Sequence, residues 1–140
     1  MRVGADDTRW VVLVSGDQTG GRFSAVETLV PKGCEPPRHV HSREDEVIYV
    51  LDGSVTFELE GERHDGTAGT CMLLPCGREH SFTIESDDAR LLFLLLPAGL
   101  EGWVGAASAE DLSGGSPAVE RFVATAARYG VSISGPSNRS

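Results

Sequence analysis

The sequence predicts an all-β fold, a sandwich or small barrel, followed by one C-terminal helix. Three observations carry that reading. Short segments rich in Val, Leu, Ile, Thr or Phe follow one another closely along the chain, as strands do. Turn signals separate them at fairly regular intervals, with no alternating helices of the kind a βαβ chain requires. Only past residue 97 does a helical apolar pattern emerge.

In order along the chain, Trp10 to Val14 and Arg22 to Val30 are the first two predicted strands, divided by Gly20-Gly21. Pro31-Lys32-Gly33 ends the second, and Glu46 to Leu51 is the next long strand. Asp52-Gly53 reads as a hairpin turn into Ser54 to Glu60, because Gly takes a positive φ without steric cost and Asp tolerates one. Glu60-Gly61 and Asp65-Gly66 mark the polar hairpin Glu62 to Gly66, where His64 is expected to be solvent-exposed. Thr70 to Leu74, Ser81 to Ile84 and Ala89 to Leu96 complete the strands, separated by Pro75-Cys76-Gly77 and Ser86-Asp87-Asp88.

The run Arg90 to Leu96 is apolar at both parities, which implies a strand covered on both faces. Either the C-terminal helix or a second subunit would supply that cover, and a homodimer is expected. Pro97 to Gly115 reads as loop around Trp103, with room for a short helix. Ser116 caps a helix that Pro117 starts, spanning about 116–129, with Val119, Phe122, Val123 and Ala126 on one face and Gly130 placed to end it. The tail from Ser132 to Ser140 is expected to be weakly ordered.

A chain of 140 residues with 40% hydrophobic content is about one domain's worth, so residues 1–140 are expected to form one domain. The formal net charge of −9 repels a phosphate backbone on average, which argues against nucleic acid as a partner. No apolar stretch approaches the roughly 20 residues a membrane helix requires. Asp6 and Asp7 stand where a secretory leader would be apolar, so a cytoplasmic location is expected. Cys34, Cys71 and Cys76 are odd in number and lack a C-x-x-C spacing, which argues against a disulfide framework or a thiolate zinc site. Buried free thiols are the expectation, above all for Cys71.

His39, His41, Glu46 and His80 are the candidate metal ligands. They sit in two frames: Gly33, five residues, His39, one, His41, four, Glu46, six, Gly53; and Gly69, five residues, Pro75, one, Gly77, two, His80. Alternation in a strand projects His39 and His41 to one side and Val40 to the other. Glu46 shares its strand face with Ile48 and Val50, and an inward carboxylate needs a partner or a cation to offset its desolvation. His80 shares a face with Phe82 and Ile84. Imidazoles with one carboxylate suit Fe, Mn, Ni, Co, Cu or Zn rather than Ca²⁺ or Mg²⁺. Four protein ligands on an octahedral ion leave two positions open. Glu44 and Asp45 read as a solvated acidic run, and Arg38, Arg43 and Arg78 as surface partners of carboxylates or guides for an anionic substrate.

The two frames resemble the paired motifs of the cupin superfamily over about Gly21 to Leu96, with the 15 residues Ser54 to Ala68 between them. The resemblance implies a small antiparallel jelly-roll β-barrel in which His39, His41, Glu46 and His80 ligate the metal. One departure is Ile84, where the second motif usually ends in Asn. Pro97 to Trp103 and the helix ending Arg128-Tyr129-Gly130 are similar to the C-terminal extension of quercetin-dioxygenase-like single cupins.

Cupins include dioxygenases, isomerases, polyketide cyclases, decarboxylases and binding proteins, so fold alone selects no reaction. The expected function is a metal-dependent oxygenase acting on a small aromatic or polyketide-like molecule, of the kind made and degraded in secondary metabolism. Ile48, Val50, Val55, Phe57, Leu59, Phe82 and Ile84 would line its pocket, and Glu46 would serve as general base. Two alternatives stand beside it: a redox-neutral cyclase or isomerase with zinc as Lewis acid, and a cupin that binds a small ligand without catalysis.

Overall fold

The computed structural model describes residues 2–3, 7–103 and 116–135. Eleven strands are present among them: β1 Arg2–Val3, β2 Arg9–Val14, β3 Ser24–Pro31, β4 His39–His41, β5 Asp45–Asp52, β6 Val55–Leu59, β7 Glu62–Gly66, β8 Cys71–Leu74, β9 His80–Ile84, β10 Asp88–Leu96 and β11 Val131–Ile133. Helix α1 spans Ser116–Arg128, a 3₁₀ helix covers Asp17–Thr19, and residues 101–103 are helical. A six-stranded sheet runs β1-β2-β3-β10-β5-β8 and a five-stranded sheet runs β11-β4-β9-β6-β7. Every pairing is antiparallel. The fold is the expected all-β jelly roll.

Alternation builds the space between the sheets. Ile48 and Val50 of β5, Val55, Phe57 and Leu59 of β6, Phe82 and Ile84 of β9, and Leu91, Phe93 and Leu95 of β10 all turn inward and join one buried cluster. All seven residues expected to line a pocket lie in this cluster. Ile84 is fully buried opposite Val55, so the apolar residue at the motif's last position is part of the core.

Several expectations need correction. Asp52-Gly53 turns the chain, but it makes no hairpin: β5 pairs with β10 and β8, while β6 pairs with β9 and β7. The turn carries the chain from one sheet to the other, and alternating apolar residues on both sides look the same in either arrangement. The tight hairpin is Glu60-Gly61, where both residues have positive φ (48° and 86°), as a two-residue I′ turn demands. Asp65 and Gly66 continue β7 rather than turn, and β7 was missed as a strand because it is polar and largely exposed.

Gly53 has φ 99°, and a Cβ there would stand 2.7 Å from the Asp88 carbonyl oxygen. Gly53→Ala is therefore expected to destabilise the protein by about 1–3 kcal/mol. A lowered urea midpoint with an unchanged slope would report it.

The C-terminal elements also differ. Only Phe122 and Ala126 of the anticipated helix face are buried, whereas Val119 and Val123 are exposed. Tyr129 and Gly130 donate back to Ala126 and Ala127 oxygens, and Gly130 (φ 76°) ends the helix as expected. Val131–Ile133 is not weakly ordered tail but a strand paired with β4. A three-residue strand flanked by polar residues carries little periodicity to detect. The reading of 104–115 and 136–140 lies outside the described residues. No helix among the described residues is long and apolar enough to cross a membrane.

Candidate metal centre

The two halves of the site come from opposite sheets. In the five-stranded sheet β4 lies between β9 and β11, with His39 opposite both His80 and Ile133, and His41 opposite Val131. Alternation turns His39 and His41 inward, while Val40 is only half-buried. In the six-stranded sheet Glu46 opens the inward row of β5, between Leu95 of β10 and Leu74 of β8. The Pro75–Gly77 turn before β9 is docked on the first motif. Gly77 N donates to the His41 oxygen at 2.8 Å, and Cys76 N donates to Asp45 Oδ1 at 2.8 Å.

Side-chain donor atoms of His39, His41, Glu46 and His80 all lie within 4.8 Å of one another, and all four residues are buried. His39 Nε2 is 3.1 Å from both His41 Nε2 and His80 Nε2. Glu46 Oε2 is 2.9 Å from His41 Nε2 and 3.3 Å from His80 Nε2. His39 Nδ1 donates to the Pro37 oxygen at 2.6 Å, so its Nε2 presents a lone pair to the cluster. Such a set fits a transition-metal ion. Three imidazole nitrogens crowd one point beside a buried carboxylate oxygen, with only one another and that carboxylate, among the described residues, as partners at the cluster's centre.

Burial, followed by the nearby His80 and His41, pulls the His39 imidazole down to about 3, so His39 stays neutral at any ordinary pH. Burial also pulls on His41, but hydrogen bonding and charge from Glu46 outweigh it and raise its pKa. Glu46 mirrors this: burial pushes its carboxyl up, and His41 and His80 overcome that push and hold it well below the usual carboxylate range. A proton on His41 thus neutralises Glu46 where a cation would otherwise do so. Metal uptake must expel that proton, so affinity should fall by up to about tenfold per pH unit as the pH drops through the raised His41 pKa, a loss that sets in above the ordinary imidazole value of about 6.5. Competitive chelator titrations between pH 5.5 and 8 would check this; a flat profile would contradict it.

Other sequence-level candidates divide clearly. Arg38 approaches Glu58 (3.5 Å) and Glu79 (3.7 Å), and Arg78 bonds Glu60 at 3.1 Å. Both are surface partners of carboxylates, and Arg43 is exposed. His64 is exposed, 3.8 Å from Glu62. Cys34 is half-buried against the core and Cys76 is exposed. Cys71, expected to be buried, is exposed because it takes the outer parity of β8 while Met72 and Leu74 turn inward.

Two residues beside the cluster were not found from sequence. Glu44, read as solvated, is buried with Oε1 lacking a partner, and burial raises its pKa. Its position in an acidic run concealed that. Trp103, read only as part of a loop, is buried in a helical turn over residues 101–103. Its ring lies 5.5 Å from His39 and 6.1 Å from His41, with Phe122 of α1 on another side at 6.1 Å. An isolated Trp within a Gly- and Ala-rich stretch was the one available signal.

Residues 25–96, just over half of the chain, match the Cupin domain family. Quercetin 2,3-dioxygenase of Bacillus subtilis (strain 168) is 37% identical over 81 residues, which cover 58% of this chain and 24% of that enzyme. The chain thus spans about a quarter of the length of that relative. KdgF from a Halomonas species superposes with TM-score 0.63 at 22% identity, covering 73% of this chain and 90% of the other. A predicted oxalate decarboxylase from Thermotoga maritima superposes with TM-score 0.61 at 23% identity, covering 69% and 86%. These two likenesses concern the fold. With the family match, the jelly-roll topology and a buried His39, His41, Glu46 and His80 cluster able to bind a metal, this chain belongs to the cupin family.

Proposed function

We propose that this protein is a metal-dependent oxygenase of the quercetin-dioxygenase-like kind, acting on a small aromatic or polyketide-like molecule. The convergence of His39, His41, Glu46 and His80 carries the reading. The 37% identity to a quercetin 2,3-dioxygenase favours oxygen chemistry over the redox-neutral alternatives. When bound, a divalent Fe, Mn, Ni, Co, Cu or Zn ion supplies Lewis acidity and, for the redox-active members, a route for electrons.

The chain's own residues do the rest. His39, locked by Pro37 into the tautomer with a free Nε2, needs no deprotonation to bind. Glu46, the carboxylate of the cluster, is the proton acceptor for a substrate hydroxyl. Ile48, Val50, Val55, Phe57, Leu59, Phe82 and Ile84 provide the apolar interior that favours a flat, weakly polar ligand over a sugar or a charged peptide.

The deciding experiment is elemental analysis of protein purified without added metal, followed by oxygen-electrode assays on flavonols and related phenols. Metal near one equivalent with oxygen uptake supports the proposal. Full-rate product formation under anaerobic conditions would instead identify a cyclase or isomerase.

The working unit we propose is a cytoplasmic homodimer. Helix α1 packs beside β11, at the far edge of the other sheet, and no other described element covers the outer face of the six-stranded sheet. That face exposes Tyr49, Leu51, Leu73 and Leu96 beside half-buried Val47, Leu92 and Leu94. A two-fold axis would make this one patch self-complementary. Sedimentation equilibrium showing a monomer at all concentrations would reject the dimer.

A further inference from the structure

We infer that the Trp103 indole N–H is a ligand-binding group of the metal centre, donating a hydrogen bond to an anionic or carbonyl acceptor held beside the four ligands. The inference rests on the reading of His39, His41, Glu46 and His80 as a metal site.

Trp103 is only 5% exposed, and its Nε1 is buried with no hydrogen-bond partner among the described residues. A buried donor left unpaired costs about 1–3 kcal/mol, so such groups are rarely without a purpose. Of the rings packed on it among the described residues, Phe122 is apolar, the His39 Nδ1 is engaged with Pro37 while its Nε2 faces the other imidazoles, and His41 turns its Nε2 to Glu46 and leaves its own Nδ1 without a partner. The ring meets His39 and His41 edge to face, at 65° and 77°, so the indole stands against the two imidazoles that β4 sends to the centre.

The indole is also held firmly. Glu101, in the same helical turn, accepts from Gly16 N at 2.9 Å and from Gly99 N at 2.5 Å. Trp103 N donates to the Leu100 oxygen at 2.9 Å, and Leu100 is itself buried. A donor fixed in advance loses little entropy on binding, which is the arrangement expected of a recognition group. What it can recognise follows from its chemistry: an indole N–H donates and never accepts. The complementary group is a deprotonated hydroxyl, a carbonyl oxygen or a small anion, and an ammonium group is excluded.

Azide tests this without a known substrate. The chain has two tryptophans, so Trp103→Phe keeps a ring of similar shape, removes one of two indole N–H signals and thereby assigns the other. Azide titrations of the Co(II)-loaded protein, followed in the visible d–d bands, should give a dissociation constant about fivefold higher in the variant. In ¹⁵N-labelled, Zn(II)-loaded wild-type protein, azide should shift the Trp103 indole resonance and leave Trp10 unmoved, a readout independent of the variant's folding. Equal azide affinity in both proteins, an unmoved Trp103 resonance, or no azide binding to the wild type would overturn the inference while leaving the metal site intact. Absence of cobalt d–d bands would overturn both.

Discussion

Replacing Glu46 by Gln is expected to lower turnover by about 10²- to 10⁴-fold, the range for loss of a positioned general base. Gln preserves the shape and one oxygen donor but cannot accept a proton. The change also reaches His41, whose pKa is raised by its hydrogen bond to and charge attraction from Glu46 against the opposing effect of burial. With that carboxylate gone, burial prevails and the His41 pKa falls. Metal uptake by the variant should therefore release less proton and depend less on pH, even if its affinity is weaker. Proton release on metal binding in weakly buffered solution, measured beside turnover and metal content, separates the two roles of Glu46. Wild-type turnover in a variant that still holds metal would remove Glu46 from the chemistry.

Val131→Asp should unseat the centre from a distance. Val131 is 1% exposed and lies opposite His41, across the β11–β4 pairing. An unpaired carboxylate forced into that position costs roughly 3–5 kcal/mol, and the cheapest relief is for β11 to leave. Outside its three-residue ladder with β4, the strand is tied by Ser134 N donating to the Arg38 oxygen at 2.9 Å and by Ser42, whose N and Oγ donate to the Gly130 oxygen at 2.9 and 2.7 Å. Once β11 detaches, β4 becomes an edge strand, holding His39 and His41 through its short pairing with β9. Weaker metal binding with the rest of the fold retained is the expected outcome, read by chelator competition and circular dichroism. Undiminished affinity would show that β4 holds its imidazoles without help.

The fold was readable because alternation is a local signal. Ile48 and Val50, or Phe57 and Leu59, announce both a strand and its inner face from a few adjacent residues. Sheet membership is not local: nothing around Asp52-Gly53 distinguishes a hairpin from a crossing between sheets, and only the partners of β5 and β6 decide it. The four candidate ligands were legible for the same reason as the strands, since spacing and parity suffice to aim them. Glu44 and Trp103 reach the site through tertiary packing, with Trp103 arriving on a turn pinned to Gly16, 85 residues from Glu101. β11 escaped notice because Val131–Ile133 is shorter than any periodicity can register.

His39, His41 and His80 belong to one sheet and Glu46 to the other. A cation seated among them would act as a rivet through the sandwich, so loading and folding become a single equilibrium: at 100 times the dissociation constant, free metal adds about 2.7 kcal/mol to stability. Starving cells of that element would then remove the protein itself through proteolysis of loosened chains, tying its abundance to the supply of its ion.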